Sequence, residues 1–181
     1  MVLNTDDSLW SCGFNYFGQL GDGTTASKIY LVKVAENIQL VSAGYAHTFA
    51  LKADNTLWGC GNNELGQLGD STNISQSQLI KIAEAIKSVS AGGLHTTILK
   101  TDNTLWASGY NVYGQLGNGA TTNRNHFVKI TEAIQSVSAG YSYTMVLKSN
   151  NTIWACGDNV YGQLGDGSAT NRSNLVQVFL P

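Results

Sequence analysis

Apolar side chains along this chain fall in short runs closed by turn residues, not on a stripe repeating every 3.6 residues, and this pattern predicts strands. Residues 38–44 (Ile-Gln-Leu-Val-Ser-Ala-Gly) are rich in β-branched residues and end in small ones. Residues 47–52 (His-Thr-Phe-Ala-Leu-Lys) form a second run, closed by the turn pair Asp54-Asn55, and 56–61 (Thr-Leu-Trp-Gly-Cys-Gly) form a third. A Gly-rich loop around 62–77 then leads to a fourth run, Leu79-Ile80-Lys81-Ile82. The second run is apolar at consecutive positions, Phe49-Ala50-Leu51, and again at Thr97-Ile98-Leu99 and Met145-Val146-Leu147. Such a strand is expected to be covered on both faces of its sheet.

The four-run pattern repeats. Trp10, Trp58, Trp106 and Trp154 are spaced by 48 residues. The box Gly18-Gln19-Leu20-Gly21 returns at the same interval, beginning at Gly66, Gly114 and Gly162, with no insertion or deletion between copies. Ser42-Ala43-Gly44 returns at 90–92 and 138–140, and the first unit lacks it. A four-stranded unit of this length with periodic Trp and Gly predicts a propeller blade, because stacked sheets arranged radially cover both faces of each strand. The expected fold is all-β: a β-propeller of four-stranded blades, about three complete plus one incomplete N-terminal blade. It forms a single repeat domain over 1–181, with units near 1–37, 38–85, 86–133 and 134–181.

Composition narrows the function classes. The net charge is −2 and no Lys or Arg run occurs, so the electrostatic footprint of a nucleic-acid binder is missing. No segment has the length and apolarity of a membrane span, and the start Met1-Val2-Leu3-Asn4-Thr5 lacks the basic and apolar regions of a secretory signal. A complete chain is thus expected to be cytoplasmic; for a piece of a longer protein the location is open. Neither nucleic acid nor membrane is an expected partner.

The string Leu57-Trp58-Gly59-Cys60-Gly61-Asn62-Asn63-Glu64-Leu65-Gly66-Gln67-Leu68-Gly69-Asp70, preceded by Ser42-Ala43-Gly44-Tyr45-Ala46-His47-Thr48, resembles the repeat of the regulator of chromosome condensation family. The resemblance covers essentially the whole chain. It implies a propeller that in other members usually closes seven blades. The activities it implies are diverse: nucleotide exchange on a small GTPase, chromatin binding, β-lactamase inhibition and scaffolding. Exchange factors of this kind use loops inserted into single repeats, whereas every interval here is 48 residues.

Candidate chemistry is sparse. The Gly-Gln-Leu-Gly box lacks the strand–loop–helix context of a phosphate cradle, and reads as four equivalent tight turns. Cys12, Cys60 and Cys156 occupy one repeat position, with Ser108 at the fourth copy; blades hold them apart, so they read as small buried thiols without disulfides or metal. His47 and His95 share a position with Tyr143 and read as locally hydrogen-bonded side chains near the inner strands, not as bases. No Ser-His-Asp set is evident, and Asp54, Asp102, Asp22, Asp70 and Asp166 recur as turn residues. No cofactor is implied, and the chain reads as no enzyme; an active site in a central channel is a minor alternative.

Differences between copies point to partners. Phe14, Tyr16, Tyr45, Tyr110 and Tyr141 lie in loops and form a candidate recognition rim, with inter-blade packing as the alternative. Lys28, Gln76, Arg124 and Arg172 share one position, and Arg124 and Arg172 are candidate contacts to an acidic partner. Finally, neither end of the array carries a polar cap, although repeat arrays normally require one. A blade face of about 300 Å² left bare forgoes about 7 kcal/mol. The expected function is a protein-binding and assembly module that also associates with itself head to tail, as a dimer or larger assembly, completing a ring. A nucleotide exchange factor or a piece of a larger propeller scaffold is the alternative.

Overall fold

The computed structural model describes residues 1–178, and among these the regular structure is entirely β, with fifteen strands and no helix. The second unit shows the plan. Strands β4 (Ile38–Ala43), β5 (His47–Lys52), β6 (Leu57–Gly61) and β7 (Gln76–Ala83) pair as consecutive antiparallel neighbours in one sheet. Units three and four repeat it as β8–β11 (Ile86–Ala91, His95–Lys100, Leu105–Gly109, Arg124–Thr131) and β12–β15 (Ile134–Ala139, Tyr143–Lys148, Ile153–Gly157, Arg172–Val178). The first unit is a three-stranded sheet of β1 (Val2–Leu3), β2 (Leu9–Gly13) and β3 (Lys28–Ala35), so its innermost strand is missing. The fold is an incomplete propeller.

The fourth strand starts at Gln76, three residues earlier than its apolar run implies. Its polar beginning, Gln76-Ser77-Gln78, is held by the loop of the preceding blade, through an antiparallel bridge between Asp22 and Gln78. The second strand is covered on both faces as expected in the interior blades: Phe49, Ala50 and Leu51 are buried, as are Ile98 and Leu99. In the last blade the cover is one-sided. Val146 is buried while Met145 and Leu147 are partly open, the period-two pattern of a sheet with one bare face.

Each apolar cluster spans two blades. Leu9 of the first packs with Ile38 and Ala50 of the second; Phe49, Leu51 and Leu57 of the second pack with Val89 and Ile98 of the third; Leu99 and Leu105 of the third pack with Ile134 and Val146 of the fourth. Stability therefore resides in the seams between blades, as expected of a repeat array.

Antiparallel pairing gives the array two different rims. The turn after the first strand and the long loop after the third emerge together, joined by Asn62 N–H donating to the Ala46 carbonyl, Tyr110 N–H to Leu94 and Asp158 N–H to Ser142. This is the loop rim. The tight turns at 53–56, 101–104 and 149–152 emerge at the opposite, turn rim, where Asn55, Asn103 and Asn151 adopt positive φ and Asp54 accepts from the Thr56 N–H. The repeated tryptophans sit near this second rim. Trp58 Nε1 donates to Thr56 Oγ1 at 3.0 Å, and the Lys52 ammonium lies 4.4 Å from a Trp58 ring centroid.

Candidate functional site

The loop rim is rigid because each long loop is stapled by one buried Asn. Asn63 accepts from Leu68 N–H at 2.9 Å through Oδ1, while Nδ2 donates to Asp70 Oδ1 at 2.9 Å and to the carbonyls of Thr72 and Ile74. Asn15, Asn111 and Asn159 do the same in the other loops. Only a primary amide offers both one acceptor and two donors in so small a volume. Asn63→Ala is expected to lower stability by about 3 kcal/mol, since a buried amide and two carbonyls lose partners. Urea unfolding checks this, and Asn63→Asp should recover little, because it keeps the Leu68 contact but faces Asp70 with a second carboxylate.

Every sequence-derived candidate lies on this rim. Phe14 and Tyr16 are 64% and 70% exposed and stack with centroids 6.4 Å apart. Tyr45 and Tyr141 are also exposed and meet edge to face at 6.3 Å across Gly93, whose position has no room for a side chain beside Tyr141. Tyr110 is half-buried against Tyr113. Val112 and Val160, at the repeat position of Tyr16, extend the same surface, as do Ile74, Tyr113 and Tyr161, which alignment of the copies did not single out, the last 92% exposed. Their signal was available in the sequence, as apolar residues inside a Gly- and Asn-rich loop.

The cationic edge expected from Lys28, Arg124 and Arg172 does not form. Lys28 is paired with Asp22 at 3.2 Å and Arg172 with Asp166 at 2.7 Å, so both charges are neutralised within their own loops. The hydrogen bond from Ser168, then the Arg172 guanidinium, holds Asp166 down at about 2 despite opposing burial. Arg124 has no such partner because Asn118 stands where the others have Asp, and its Nε is buried without a hydrogen bond. The loop rim carries three cations, Lys28, Arg124 and Arg172, against five carboxylates, Asp22, Glu64, Asp70, Asp158 and Asp166. It is apolar and acidic. The turn rim is balanced and salt-bridged, through Lys33–Glu36, Lys81–Glu84 and Lys129–Glu132.

His47 and His95 do not hydrogen-bond locally; they connect blades. His47 Nε2 lies 3.0 Å from Thr96 Oγ1 of the next blade, and that hydroxyl donates to the Gln67 carbonyl at 2.7 Å. The hydroxyl proton is thus committed, so Nε2 carries the hydrogen and Nδ1 is a bare, unpartnered lone pair. His95, Thr144 and Gln115 repeat the relay. Burial pushes the His47 pKa down to about 3, helped by the neighbouring His95, and burial pushes His95 down to about 4. Both rings are wholly enclosed. Cys60 and Cys156 are buried, with their thiols pushed up to about 12 by burial, whereas Cys12, on the outer face of the first sheet among the described residues, is exposed. Among the described residues no three His, Cys, Asp or Glu side chains gather as a metal-binding group.

Comparison with known proteins agrees with this architecture. The regulator of chromosome condensation (RCC1) repeat profile matches residues 6–51, 54–99 and 102–147, and a second profile of the same description matches 38–67, 86–115 and 134–163. The chain belongs to the RCC1 repeat family. Human WBSCR16 superposes with a TM-score of 0.88 at 22% identity, over 99% of this chain and 50% of that one. Prp20p from Saccharomyces cerevisiae, characterised for binding to Gsp1p and histones, gives 0.85 at 20% identity, over 96% and 47%. Yeast RCC1 bound to Kap60 gives 0.83 at 19%, over 96% and 45%. The RCC1-repeat chain described here therefore spans about half the length of these structures, and at these identities they share its fold. No curated protein matches it in sequence.

Proposed function

We propose that this RCC1-repeat chain is a non-enzymatic protein-binding module that presents its loop rim to a partner surface bearing apolar and basic groups. The observation that carries this reading is the exposure of Phe14 and Tyr16 on the first long loop, Val112 and Tyr113 on the third and Val160 and Tyr161 on the fourth, all on loops rigidified by buried Asn staples. Exposed aromatics on a preorganised frame are the residues that contribute most at protein interfaces, because they bury large areas while losing few rotatable bonds. The acidic excess of the same rim favours a basic partner and disfavours nucleic acid. Histones and Gsp1p, to which binding of the yeast relative was characterised, are the first probes, beside a small GTPase for the exchange-factor alternative.

Binding of purified histones and of a small GTPase to the wild-type chain is compared with Phe14→Ala/Tyr16→Ala and with Tyr161→Ala. Each loop variant is expected to weaken capture at least tenfold, about 1.4 kcal/mol or more. Lys52→Ala on the turn rim should leave it unchanged. Equal loss in all variants, or none in any, contradicts the assignment. Nucleotide release from the GTPase measures the exchange-factor alternative separately: acceleration favours it over a passive module.

A further inference from the structure

Four copies of one loop show what the cation at its end meets. In the last unit Asp166 divides its carboxylate. Oδ1 accepts from Asn159 Nδ2 and from the Ser168 N–H, and Oδ2 is left for Arg172 Nε at 2.7 Å. Arg172 Nη2 adds a bond to the Ser168 hydroxyl. In the first unit Asp22 serves Asn15, Thr24 and Lys28 in the same way. The second unit has no cation at this position: Gln76 is neutral, and Asp70 gives its two oxygens to Asn63 and Thr72.

The third unit keeps the cation and loses what the cation meets. Asn118 stands in place of Asp166 and Ala120 in place of Ser168, so both acceptors of the guanidinium are gone. Asn118 Oδ1 still accepts from Asn111 Nδ2 and from the Ala120 N–H, both at 3.1 Å. The other branch of its amide, where Asp166 has Oδ2, is therefore an NH2 donor, and a donor cannot pair with Arg124. Among the described residues Arg124 forms no salt bridge, and its Nε is buried without a hydrogen bond. A desolvated cation without a partner is costly, and an arriving anion recovers that cost.

The space beside Arg124 is built by two blades. Asn125 Nδ2 donates to the Ser71 carbonyl at 3.2 Å and to Asn73 Oδ1 at 3.3 Å, both in the loop of the preceding blade. Leu65, Asn73, Asn123, Arg124, Asn125 and His126 line an open cavity of about 320 Å³, and no carboxylate is among them. Asn123 Oδ1 is taken by the Asn111 N–H, which leaves its Nδ2 uncommitted beside the guanidinium.

We propose that this cavity binds one carboxylate, held by the Arg124 fork and the Asn123 amide. The repeat argues for a carboxylate over other anions, because both loops that pair their cation use an Asp for it. A planar guanidinium matches the two oxygens of a carboxylate, which adds direction to the charge attraction. The site belongs to the seam between the second and third blades and is independent of the rim aromatics. An acidic side chain of a protein segment and a small free carboxylic acid share this chemistry.

Titration with acetate at constant ionic strength, with chloride as the balancing anion, tests the site by nuclear magnetic resonance. The Arg124 Nε–H signal should shift and saturate in the millimolar range while Arg172 Nε–H stays in place. Asn118→Asp rebuilds the internal pair of the last unit, so it should raise the urea midpoint and weaken acetate binding at least tenfold. Arg124→Gln, followed through the backbone amides of Asn123 and Asn125, should weaken it as much. Phe14→Ala/Tyr16→Ala should leave it unchanged, whatever that variant does to partner capture. A capped peptide with one Glu, compared with its Gln counterpart and with acetate, separates the sources: tighter binding of the Glu peptide assigns the site to a protein segment, and tighter binding of acetate to a small acid. Four results would overturn the proposal: no saturation, the same shift with chloride alone, acetate binding undiminished in Asn118→Asp, or inorganic phosphate binding more tightly than acetate.

Discussion

Lowering the pH from about 7.5 to about 5 is expected to reduce the unfolding free energy by about 4 kcal/mol, roughly 2 from each of His47 and His95. Their folded-state pKa values lie near 3 and 4, below the ordinary histidine value of 6.5. The unfolded chain takes up a proton on each ring as the pH passes below 6.5, while the folded chain holds both rings neutral. The stability they contribute is therefore complete above 6.5 and is lost progressively toward 4. The structural cause is visible: a proton on Nδ1 would be buried without an acceptor, and Nε2–H is already given to Thr96 or Thr144. Asp6, Asp54 and Asp102, whose values are lowered first of all by hydrogen bonds from Ser8, Thr56 and Thr104, lose their contribution in a separate window below their usual 3.8. Urea midpoints at several pH values check the expectation. A midpoint constant between 7.5 and 5 would contradict the neutral relay, and a His47→Gln/His95→Gln variant should flatten the slope in that interval.

Gly66→Ala is expected to destabilise the chain by about 4 kcal/mol, through αL strain of about 1 and a backbone overlap for the rest. Gly66 has φ +81°, and its missing side chain leaves the space taken by Asn125 Cα and the Arg124 carbonyl of the next blade. A strand held in a four-stranded sheet cannot move away without opening the seam. The repeat supplies its own control. Gly162 has φ +75° at the same repeat position, but its nearest potential neighbour is the Ser168 carbonyl at 3.8 Å. Gly162→Ala should therefore cost only the strain, about 1 kcal/mol. Equal losses at the two sites would mean that backbone strain, not blade contact, makes the glycine necessary.

The strands of this fold were legible because burial on both faces imposes unbroken apolar runs, as at Phe49-Ala50-Leu51. The beginning of the fourth strand was not, because Gln76-Ser77-Gln78 pairs with a loop from another blade, and no local pattern records that contact. Tryptophan marked the period conspicuously, yet its role is peripheral, folded between Thr56 and Lys52. Asn63 organises the loop rim and was hidden among turn-forming residues, since an Asn in a Gly-rich loop looks like any other turn. The histidine positions were visible, but their partners lie 49 residues away on another blade. The exposure of Phe14, Tyr16, Tyr45 and Tyr141 was legible because each stands in a Gly-containing turn or loop and outside the apolar runs that become strands. The cancellation of Lys28 and Arg172 was not, because it depends on the fold of the loop bringing Asp22 and Asp166 alongside.

Hydroxyl-radical footprinting of the chain, with and without the partner it captures, reads the loop rim directly. Binding is expected to protect Tyr16, Tyr45, Tyr141 and Tyr161 while Trp58, Trp106 and Trp154 near the turn rim keep their reactivity. Protection of the tryptophans with the four tyrosines unchanged would place the partner on the opposite rim and contradict the assignment.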